Sequence, residues 1–511
     1  MANTTGRLRR RGAFLLALVM GLVVLADWLF YDAPIGWTAG VFGLALLLAV
    51  ALRSGACFRG TPSRVVAAAT VGMIAALVIH PGPLAVTLGL LSLITLAAID
   101  RGGWTNSVAA WAGRWLVFLG KASTQFLRDT RLQNRWLRSH GQHVSLVDSR
   151  GAGSVRAWVI PAALSVVFVA LFAVANPVVQ RGVSEAWAAF EYRITGLGEW
   201  LSFGRVLLWL LTAAAVWGLL RVRLRRPHPR PRKLAEAQTT FPDSRAIQRL
   251  DRVTGTSLVV RCLVLFNAVF AVQTLLDVWY LYGGAALPDG MTYAEYAHRG
   301  AYPLVGTALL AGLFVLLTFR PNGAAQRSVW CRRLVGLWIA QNIVLMGSAA
   351  WRLNLYVEVY SLTRWRVAAA VWMLLVAVGF AWLIWRIVAG RDNSWLLQRV
   401  TLSAIGVLYA VCFVDIDRHI ADYNVAHCAE AGGGGQPIDL AYLETLGPAA
   451  LPATQRLVSD WDDSANASAA DKNSAQFLAL RLERELNRDL AGWRGWTLRR
   501  SQWSQNVVAS R

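Results

Sequence analysis

Polar and ionisable side chains gather near one end of the later apolar segments of this chain, where they could bind a ligand. Gln273 and Asp277 are four residues apart and therefore share one helical face. Gln341 and Arg352 are eleven residues apart, which places them on nearly the same face of another helix. With Glu358 they could hold a polar or anionic group at the edge of a membrane.

The connection after the segment of Gln273 adds candidates for binding and for acid–base chemistry. They are Tyr293, Glu295, Tyr296, His298 and Arg299. In a functional interpretation all ten residues form an externally facing polar site. The acidic partners open to Arg352 there are Asp277, Glu358 and Glu295. In a structural interpretation the same residues are a belt of paired charges that caps a helix bundle, and the sequence leaves both open.

The composition indicates that a membrane-embedded helix bundle positions these residues. Of 511 residues, 56% are hydrophobic and 16% are charged, whereas soluble proteins carry roughly 45–50% apolar and about 25% charged residues. A helix crosses a bilayer with about 20 mostly apolar residues. Eleven such runs occur, at 13–31, 35–52, 64–80, 83–99, 157–175, 203–220, 257–281, 303–319, 334–353, 366–388 and 397–415. The predicted fold class is all-α, a polytopic transmembrane helix bundle.

The basic residues predict the orientation of this bundle. The chain has 51 Lys and Arg against 29 Asp and Glu, a formal net charge of +22. With the N-terminus inside, 33 of the basic residues fall in cytoplasmic segments and 7 in the external connections, as the positive-inside rule requires. We therefore predict a multi-pass protein of the plasma (inner) membrane with its C-terminus outside. Nucleic acid is not expected as a partner, because no recognition fold accompanies the charge.

Two features of the span assignment stay open. The first run follows Arg10 and Arg11 and is either an export signal or an uncleaved span, which its length of 19 residues favours. The third and fourth runs are short and are joined by the turn 80–83. They form a hairpin that either crosses the bilayer or re-enters it.

Four regions follow from the spans and the charges. They are a four-span N-terminal region at 1–100, a cytoplasmic basic amphipathic segment at 101–156, a seven-span core at 157–415 with a basic loop at 221–256, and an external helical tail at 416–511. Tryptophans at helical spacing beside basic residues make the amphipathic segment typical of a helix in the membrane surface. Its candidate lipid-binding residues are Trp104, Trp111, Arg114, Trp115, Lys121 and Arg128. The alternative is a helix packed against the bundle, and both can hold.

The tail has its own helical pattern at 437–446 and 477–490. We expect Trp493, Trp496 and Trp503 to rest on the outer membrane surface or to contact a protein partner, and Cys428 to be a lone external thiol. The five cysteines are scattered, which predicts neither a disulfide framework nor a zinc site. No catalytic motif occurs, and we expect no cofactor and no metal.

Two stretches of the chain resemble a bacterial inner-membrane family known only as a domain of unknown function. The first holds Phe266-Asn267, Gln273, Tyr280-Leu281-Tyr282-Gly283-Gly284, Tyr293-Ala294-Glu295-Tyr296-Ala297 and Arg299-Gly300. The second holds Asp417-Arg418-His419-Ile420-Ala421-Asp422-Tyr423-Asn424-Val425 and Ile438-Asp439-Leu440-Ala441-Tyr442-Leu443. The resemblance covers roughly residue 160 to the end. It implies the fold and the topology and carries no mechanism.

The function predicted from these features is a non-enzymatic permease component, sensor or assembly partner with an external polar site. No Asp, Glu or Lys lies near a span midpoint, which disfavours ion-coupled transport, although Asn, Gln or backbone carbonyls could serve instead. The alternative is an enzyme that acts on a lipid-linked or phosphate-bearing substrate at the outer face. Its acid or base would be Glu295, Asp277 or His298, and its phosphate ligand Arg352 or Arg299.

Overall fold

The computed structural model describes ten stretches of the chain. They are residues 2–54, 60–121, 180–185, 187–188, 202–221, 256–282, 314, 328–431, 436–462 and 468–509. Every regular element in these stretches is a helix. The predicted all-α fold class is therefore confirmed for the described part of the chain.

Before the tail, the described part of the chain contains ten longer helices, besides helical residues at 180–185, 187–188 and 314. They are α1 (Ala2–Phe30), α2 (Thr38–Ser54), α3 (Thr61–Ile79), α4 (Pro83–Gly102), α5 (108–121), α6 (Phe203–Arg221), α7 (Thr256–Tyr282), α8 (Val329–Tyr360), α9 (Arg364–Val388) and α10 (Asn393–Val411). Seven of them, α3, α4 and α6 to α10, are long and apolar enough to cross a membrane. The apolar parts of α1 and α2 are shorter, at Phe14–Phe30 and Thr38–Arg53. The predicted spans at 157–175 and 303–319 lie outside the described residues.

Polar caps explain where the later spans begin. The hydroxyl of Ser328 accepts from the backbone N–H of Cys331 at the start of α8, and Thr363 does the same at α9. The carboxylate of Asp392 caps α10. Such side chains satisfy backbone donors that the first helical turn leaves without a partner. The short linkers before α9 and α10 therefore turn the chain back at once, so that α8, α9 and α10 alternate in direction.

The described chain divides into two compact units. The first comprises Met1–Val71, Leu90–Gly103 and Gly113–Arg225, and the second Gly72–Gly89, Trp104–Ala112 and Arg226–Arg511. In the first unit α1 packs against α2 and α6. In the second unit α7 packs on α8, α8 on α9 and α9 on α10.

Helix directions can be determined from individual contacts. In the first unit Asp27 pairs with Arg205, whereas Tyr31, which directly follows α1, bonds to Ser202, which precedes α6. The two helices are therefore antiparallel, as the eleven-span prediction requires, because it places four spans between them. The number of spans and the N-in, C-out orientation stay predictions.

The same argument makes α7 and α8 parallel. The side chain of Asn267 points back toward the start of α7 and bonds to the carbonyl of Leu334 on α8. Its backbone oxygen points toward the end of α7 and accepts from Gln341, which lies later in α8. One predicted span, at 303–319, separates the two helices, and an odd number of spans requires parallel directions.

The short turn between α3 and α4 brings the two helices close together. Helices α3 and α4 contain 19 and 20 residues, which is enough to cross a bilayer at about 1.5 Å per residue. A Cβ built on Gly89 of α4 would lie 3.7 Å from the Cβ of Met73 on α3. A Cβ built on Gly72 would lie 1.7 Å from the hydroxyl oxygen of Tyr409 on α10, so a larger residue at 72 requires this ring to move.

Five further α-helices in the described residues pack around a shared apolar core, and we call the segment Ile416–Ala509 the tail domain. They are α11 (Ile416–His427), α12 (Leu440–Thr445), α13 (Leu451–Asp462), α14 (Ala469–Leu490) and α15 (Leu498–Ala509). Leu478, Leu482 and Leu486 of α14 repeat every four residues and fill its core with Trp461 of α13. The tail is therefore helical, and Cys428 and Trp503, which the sequence placed at its surface, are buried in this core.

The tail domain is joined to the start of α9 by specific bonds. The side-chain oxygen of Asn424 accepts from the N–H of Leu362 at 2.7 Å, and its amide donates to the carbonyl of Leu362 at 2.9 Å. Arg364 forms an ion pair with Asp417 at 2.6 Å. Leu362, which lies two residues before α9, also packs against the tail core. This core therefore reaches the start of a spanning helix.

Candidate functional site

One face of α8 changes from apolar to polar along its length. Its buried residues follow each other at intervals of three or four, as the inner face of a helix does. They include Cys331, Val335, Trp338, Asn342, Leu345, Ser348 and Arg352. Polar side chains in a bilayer turn toward the protein interior, so the second half of α8 carries a polar stripe into the bundle.

Four residues at the α7–α8 contact form what we call the amide cluster: Asn267, Trp338, Gln341 and Asn342. The amide nitrogen of Asn267 donates to the carbonyls of Leu263 at 2.7 Å and Leu334 at 3.0 Å. The amide nitrogen of Gln341 donates to the backbone oxygen of Asn267 at 3.2 Å. Asn342 donates to the carbonyl of Trp338 at 2.8 Å.

These bonds assign the nitrogen and oxygen of the two bridging amides, because a carbonyl can only accept a hydrogen bond. The oxygens that remain, Oδ1 of Asn267 and Oε1 of Gln341, are buried and have no hydrogen-bond partner within the described part of the chain. The indole N–H of Trp338 is likewise buried and has none there. The cluster therefore contains two acceptors and one donor without a partner in the described part of the chain.

Leaving these atoms unpaired is costly. A buried polar group without a partner costs about 1–3 kcal/mol in proteins, and in a bilayer there is no lipid group to satisfy it. Trp338 is held firmly nonetheless, with its ring 6.3 Å from Phe270 of α7 and 6.1 Å from Phe380 of α9. Water or a polar ligand that bonds to the cluster would remove this cost.

Arg352 lies further along the same buried face of α8. It is ten residues beyond Asn342, about 15 Å at 1.5 Å per residue, and Ser348 lies between them on this face. Only 9% of Arg352 is exposed. Glu358, one of the acidic partners predicted for it, accepts from the amide of Asn354 at 2.6 Å. The pairing of Arg352 with Asp277, Glu358 or Glu295 stays a prediction.

The other predicted members of the external site are only partly within the described structure. Gln273 is half-buried on α7, and Asp277 follows on the same helix. Because α7 and α8 are parallel, both lie toward the same end as Arg352. Tyr293, Glu295, Tyr296, His298 and Arg299 lie outside the described residues, and the polar site that would include them remains a prediction.

An ion pair in the first unit was not expected from the sequence. Arg205 of α6 binds Asp27 of α1 through Nε at 2.7 Å and Nη2 at 2.5 Å, and the indole N–H of Trp209 donates to the same carboxylate at 2.9 Å. The guanidinium also lies 4.7 Å from the ring of Tyr31. With these partners the carboxylate is satisfied, so this network joins two helices rather than awaiting a ligand.

The amphipathic segment begins with α5, which packs onto α4. Arg114 donates to the carbonyls of Gly103 at 2.6 Å and Gly102 at 3.2 Å, where α4 ends. The indole N–H of Trp115 donates to the hydroxyl of Thr95 on α4 at 3.1 Å. Two of the predicted lipid-binding residues therefore also fasten α5 to the bundle.

The remaining predicted lipid-binding residues differ in exposure. Trp111 is buried, Lys121 is half-buried, and Trp104 is 45% exposed with its ring 5.5 Å from that of Trp111. Arg128 lies outside the described residues. The outer face of α5 exposes large apolar side chains, Leu116, Val117 and Leu119. Packing on the bundle is observed, and contact with lipid stays a prediction.

Most cysteines in the described part of the chain are buried, and its potential metal ligands are scattered. In that part no three His, Cys, Asp or Glu side chains are grouped as metal ligands. Cys331, Cys412 and Cys428 are buried, whereas Cys262 is partly exposed.

Comparison with known proteins identifies the family but not an activity. Neither the curated proteins nor the solved structures yield a match. A family model described as a domain of unknown function, DUF4153, matches residues 13–457. This range includes the amide cluster, the Asp27–Arg205 pair and the first half of the tail domain. The chain therefore belongs to the DUF4153 family of proteins of unknown function.

Proposed function

We propose that the chain is a non-enzymatic permease component that binds a small polar solute at the amide cluster. The observation that carries the proposal is the set of three buried, unpartnered polar atoms between α7 and α8: two amide oxygens and one indole N–H. Their cost of burial is recovered when a ligand supplies the missing hydrogen bonds. A solute with both donors and acceptors fits this set.

The chemistry of the cluster favours binding over catalysis. Amides and an indole neither gain nor lose protons near neutral pH, so they cannot act as a general acid or base. They can orient a solute inside a span, as uncharged sites in transporters do. A sensor or an assembly partner would use the same site without passage of the solute.

The external polar site supplies a route to the cluster in this proposal. Gln273, Asp277 and Arg352 lie toward one end of α7 and α8, between the cluster and the connections that the topology places outside. The tail domain would lie at that same end, since it binds Leu362 between α8 and α9. An enzyme that uses Glu295, Asp277 or His298 at the outer face remains the alternative.

The proposal places the protein in the plasma membrane with the tail outside, because basic residues predominate in the segments on the other side. There the amphipathic segment that begins with α5 would contact anionic lipid through its exposed apolar face and its basic residues. Such contact would anchor the bundle and is not required for solute binding.

Complementation of a deletion strain tests the solute site. Metabolites and lipids are profiled in the deletion strain and in strains carrying the wild-type gene, Asn267→Leu or Gln341→Leu. We expect both variants to accumulate in the membrane and to leave the deletion profile uncorrected. Asn354→Leu is the matched control, because Asn354 is an exposed amide on the same helix; it is expected to complement.

Two results would redirect the assignment. Full complementation by both cluster variants would exclude a solute site at the amides. Loss of complementation in Glu295→Ala alone, with accumulation of a lipid-linked substrate, would favour the enzyme.

A further inference from the structure

The turn between α14 and α15 presents large apolar side chains outward. Trp493, Trp496 and Leu498 are 48%, 37% and 41% exposed and lie within a segment of only six residues. We call these three residues the tryptophan turn. Exposed apolar side chains so close together mark a contact surface rather than ordinary solvent-facing structure.

The turn is held rigidly from its inner side. Asp489 of α14 forms an ion pair with Arg500 of α15 at 2.7 Å. Arg500 also donates to the carbonyl of Gly495, within the turn, at 2.6 Å. The hydroxyl of Thr497, which is fully buried, accepts from the backbone N–H of Arg500 at 3.1 Å. The outward position of the apolar side chains is therefore fixed by the fold and is not the result of a frayed end.

The turn adjoins the end of a spanning helix. The indole N–H of Trp503 donates to the carboxylate of Asp415 at 3.0 Å, and Arg499 approaches the same carboxylate at 3.9 Å. Asp415 follows the last residue of α10, Val411, by only four positions. Leu498 is the neighbour of Arg499 in the chain, so the last residue of the tryptophan turn lies near the end of α10.

The chemistry of the turn matches a bilayer surface. Tryptophan is enriched where headgroups meet acyl chains, because its ring is apolar and its N–H is polar. Arg494 lies 5.7 Å from the ring of Trp493 and could reach lipid phosphates while its stem stays on the apolar side. Apolar contacts with an adjacent basic residue are the combination that binds lipid surfaces.

We propose that the tryptophan turn inserts into the headgroup region of the bilayer beside the end of α10. The insertion buries the side chains of Trp493, Trp496 and Leu498 in lipid, and it thereby holds the tail domain against the membrane. The proposal is independent of the solute site. It also gives the exposed tryptophans a role that differs from that of Trp503, which is 4% exposed and belongs to the tail core.

Site-specific photocrosslinking in the full chain tests this contact. Benzoylphenylalanine replaces Trp496 or Leu498 in separate variants, and the protein is irradiated in its native membrane. Leu374, 52% exposed on α9, is the lipid-facing control. Arg484, an exposed residue of α14, is the control for a tail surface in water. All four positions are exposed, so the probe should not disturb folding.

We expect phospholipid adducts, detected by mass spectrometry, at 496 and 498 and at 374, and none at 484. Adducts to another protein at 496 and 498 would overturn the proposal in favour of a protein partner. Absence of lipid adducts at both positions, with the adduct at 374 present, would also overturn it.

Discussion

Gln341 of α8 donates a hydrogen bond from its side-chain amide to the backbone oxygen of Asn267 on α7, at 3.2 Å. Because this bond uses the nitrogen of Gln341, its side-chain oxygen is left as an acceptor with no partner in the described structure. The side-chain oxygen of Asn267 is likewise buried without a partner there, because its bonds use the nitrogen. Two spans of this protein thus meet at a pair of buried acceptors, and the predictions begin with their energetic consequence.

Gln341→Leu should separate stability from function. The change removes the side-chain oxygen of Gln341, which is buried without a partner. It also removes the bond from Gln341 to the backbone oxygen of Asn267, but this oxygen lies inside α7, where the helical hydrogen bond still satisfies it. Apolar replacement of such a group is nearly neutral or stabilising. We expect an unchanged or higher melting temperature in detergent together with loss of complementation. A clear fall in the melting temperature would show that Gln341 is structural.

Gly72→Ala should loosen the contact between α3 and α10. A Cβ at Gly72 would lie 1.7 Å from the hydroxyl oxygen of Tyr409, so the ring must move. Overpacking of this kind costs about 1–3 kcal/mol, and Tyr409→Phe should restore part of it. Gly336→Ala on α8 is the control, because nothing lies within 4 Å of its Cβ position. Equal free energies of unfolding for Gly72→Ala and Gly336→Ala would contradict this packing.

Asn424→Leu should release the tail domain from α9. The change leaves the backbone N–H and carbonyl of Leu362 without their partner, at about 1–3 kcal/mol for each group. Hydrogen exchange at residues 361–363 should therefore become faster, and limited proteolysis between α10 and the tail domain should increase. Asn487→Leu, at an exposed position of α14, should change neither rate. An unaltered exchange rate in Asn424→Leu would show that other contacts suffice.

The imidazole ring of His80 lies 6.1 Å from the ring of Trp503 in the tail domain, and this contact should weaken in acid. Burial and the nearby Arg499 lower the pKa of His80 below its ordinary value of 6.5, while Asp415 acts in the opposite direction. The folded state therefore binds this proton less readily than the unfolded chain. The stability that depends on neutral His80 is present above pH 6.5 and is lost as the pH falls toward the lowered pKa.

His80→Gln removes this titration and provides the measurement. The fall in melting temperature from above to below pH 6.5 should be smaller in the variant than in the wild type. An identical fall in both would mean that other groups account for the acid sensitivity.

Local sequence patterns were sufficient for the seven described helices that are long and apolar enough to span a membrane, and for the helical tail. Runs of apolar residues identified the spanning helices, because their length and hydropathy are properties of neighbouring residues. The spacing of Leu478, Leu482 and Leu486 predicted the buried face of α14 in the same way. The number of spans and the orientation rest on basic residues and are still predictions.

Contacts between distant segments could not be predicted from such patterns. Nothing in the sequence around Asp27 indicates its partner, yet it binds Arg205, 178 residues away. Trp503 was expected at a surface, like Trp493 and Trp496, but the fold of the tail domain buries it against Asp415. For the amide cluster, the sequence shows only that two polar residues, Gln341 and Asn342, lie within the apolar run 334–353. Which of the cluster's atoms lack partners depends on how α7 packs against α8.

A high-resolution structure of the protein in lipid nanodiscs tests the solute site most directly. The decisive feature is density within hydrogen-bonding distance of Oδ1 of Asn267 and Oε1 of Gln341. We predict a non-protein feature that bonds to both oxygens in the wild type and is absent from Gln341→Leu. A dry contact, in which both oxygens face only packed apolar side chains, would contradict the proposed site.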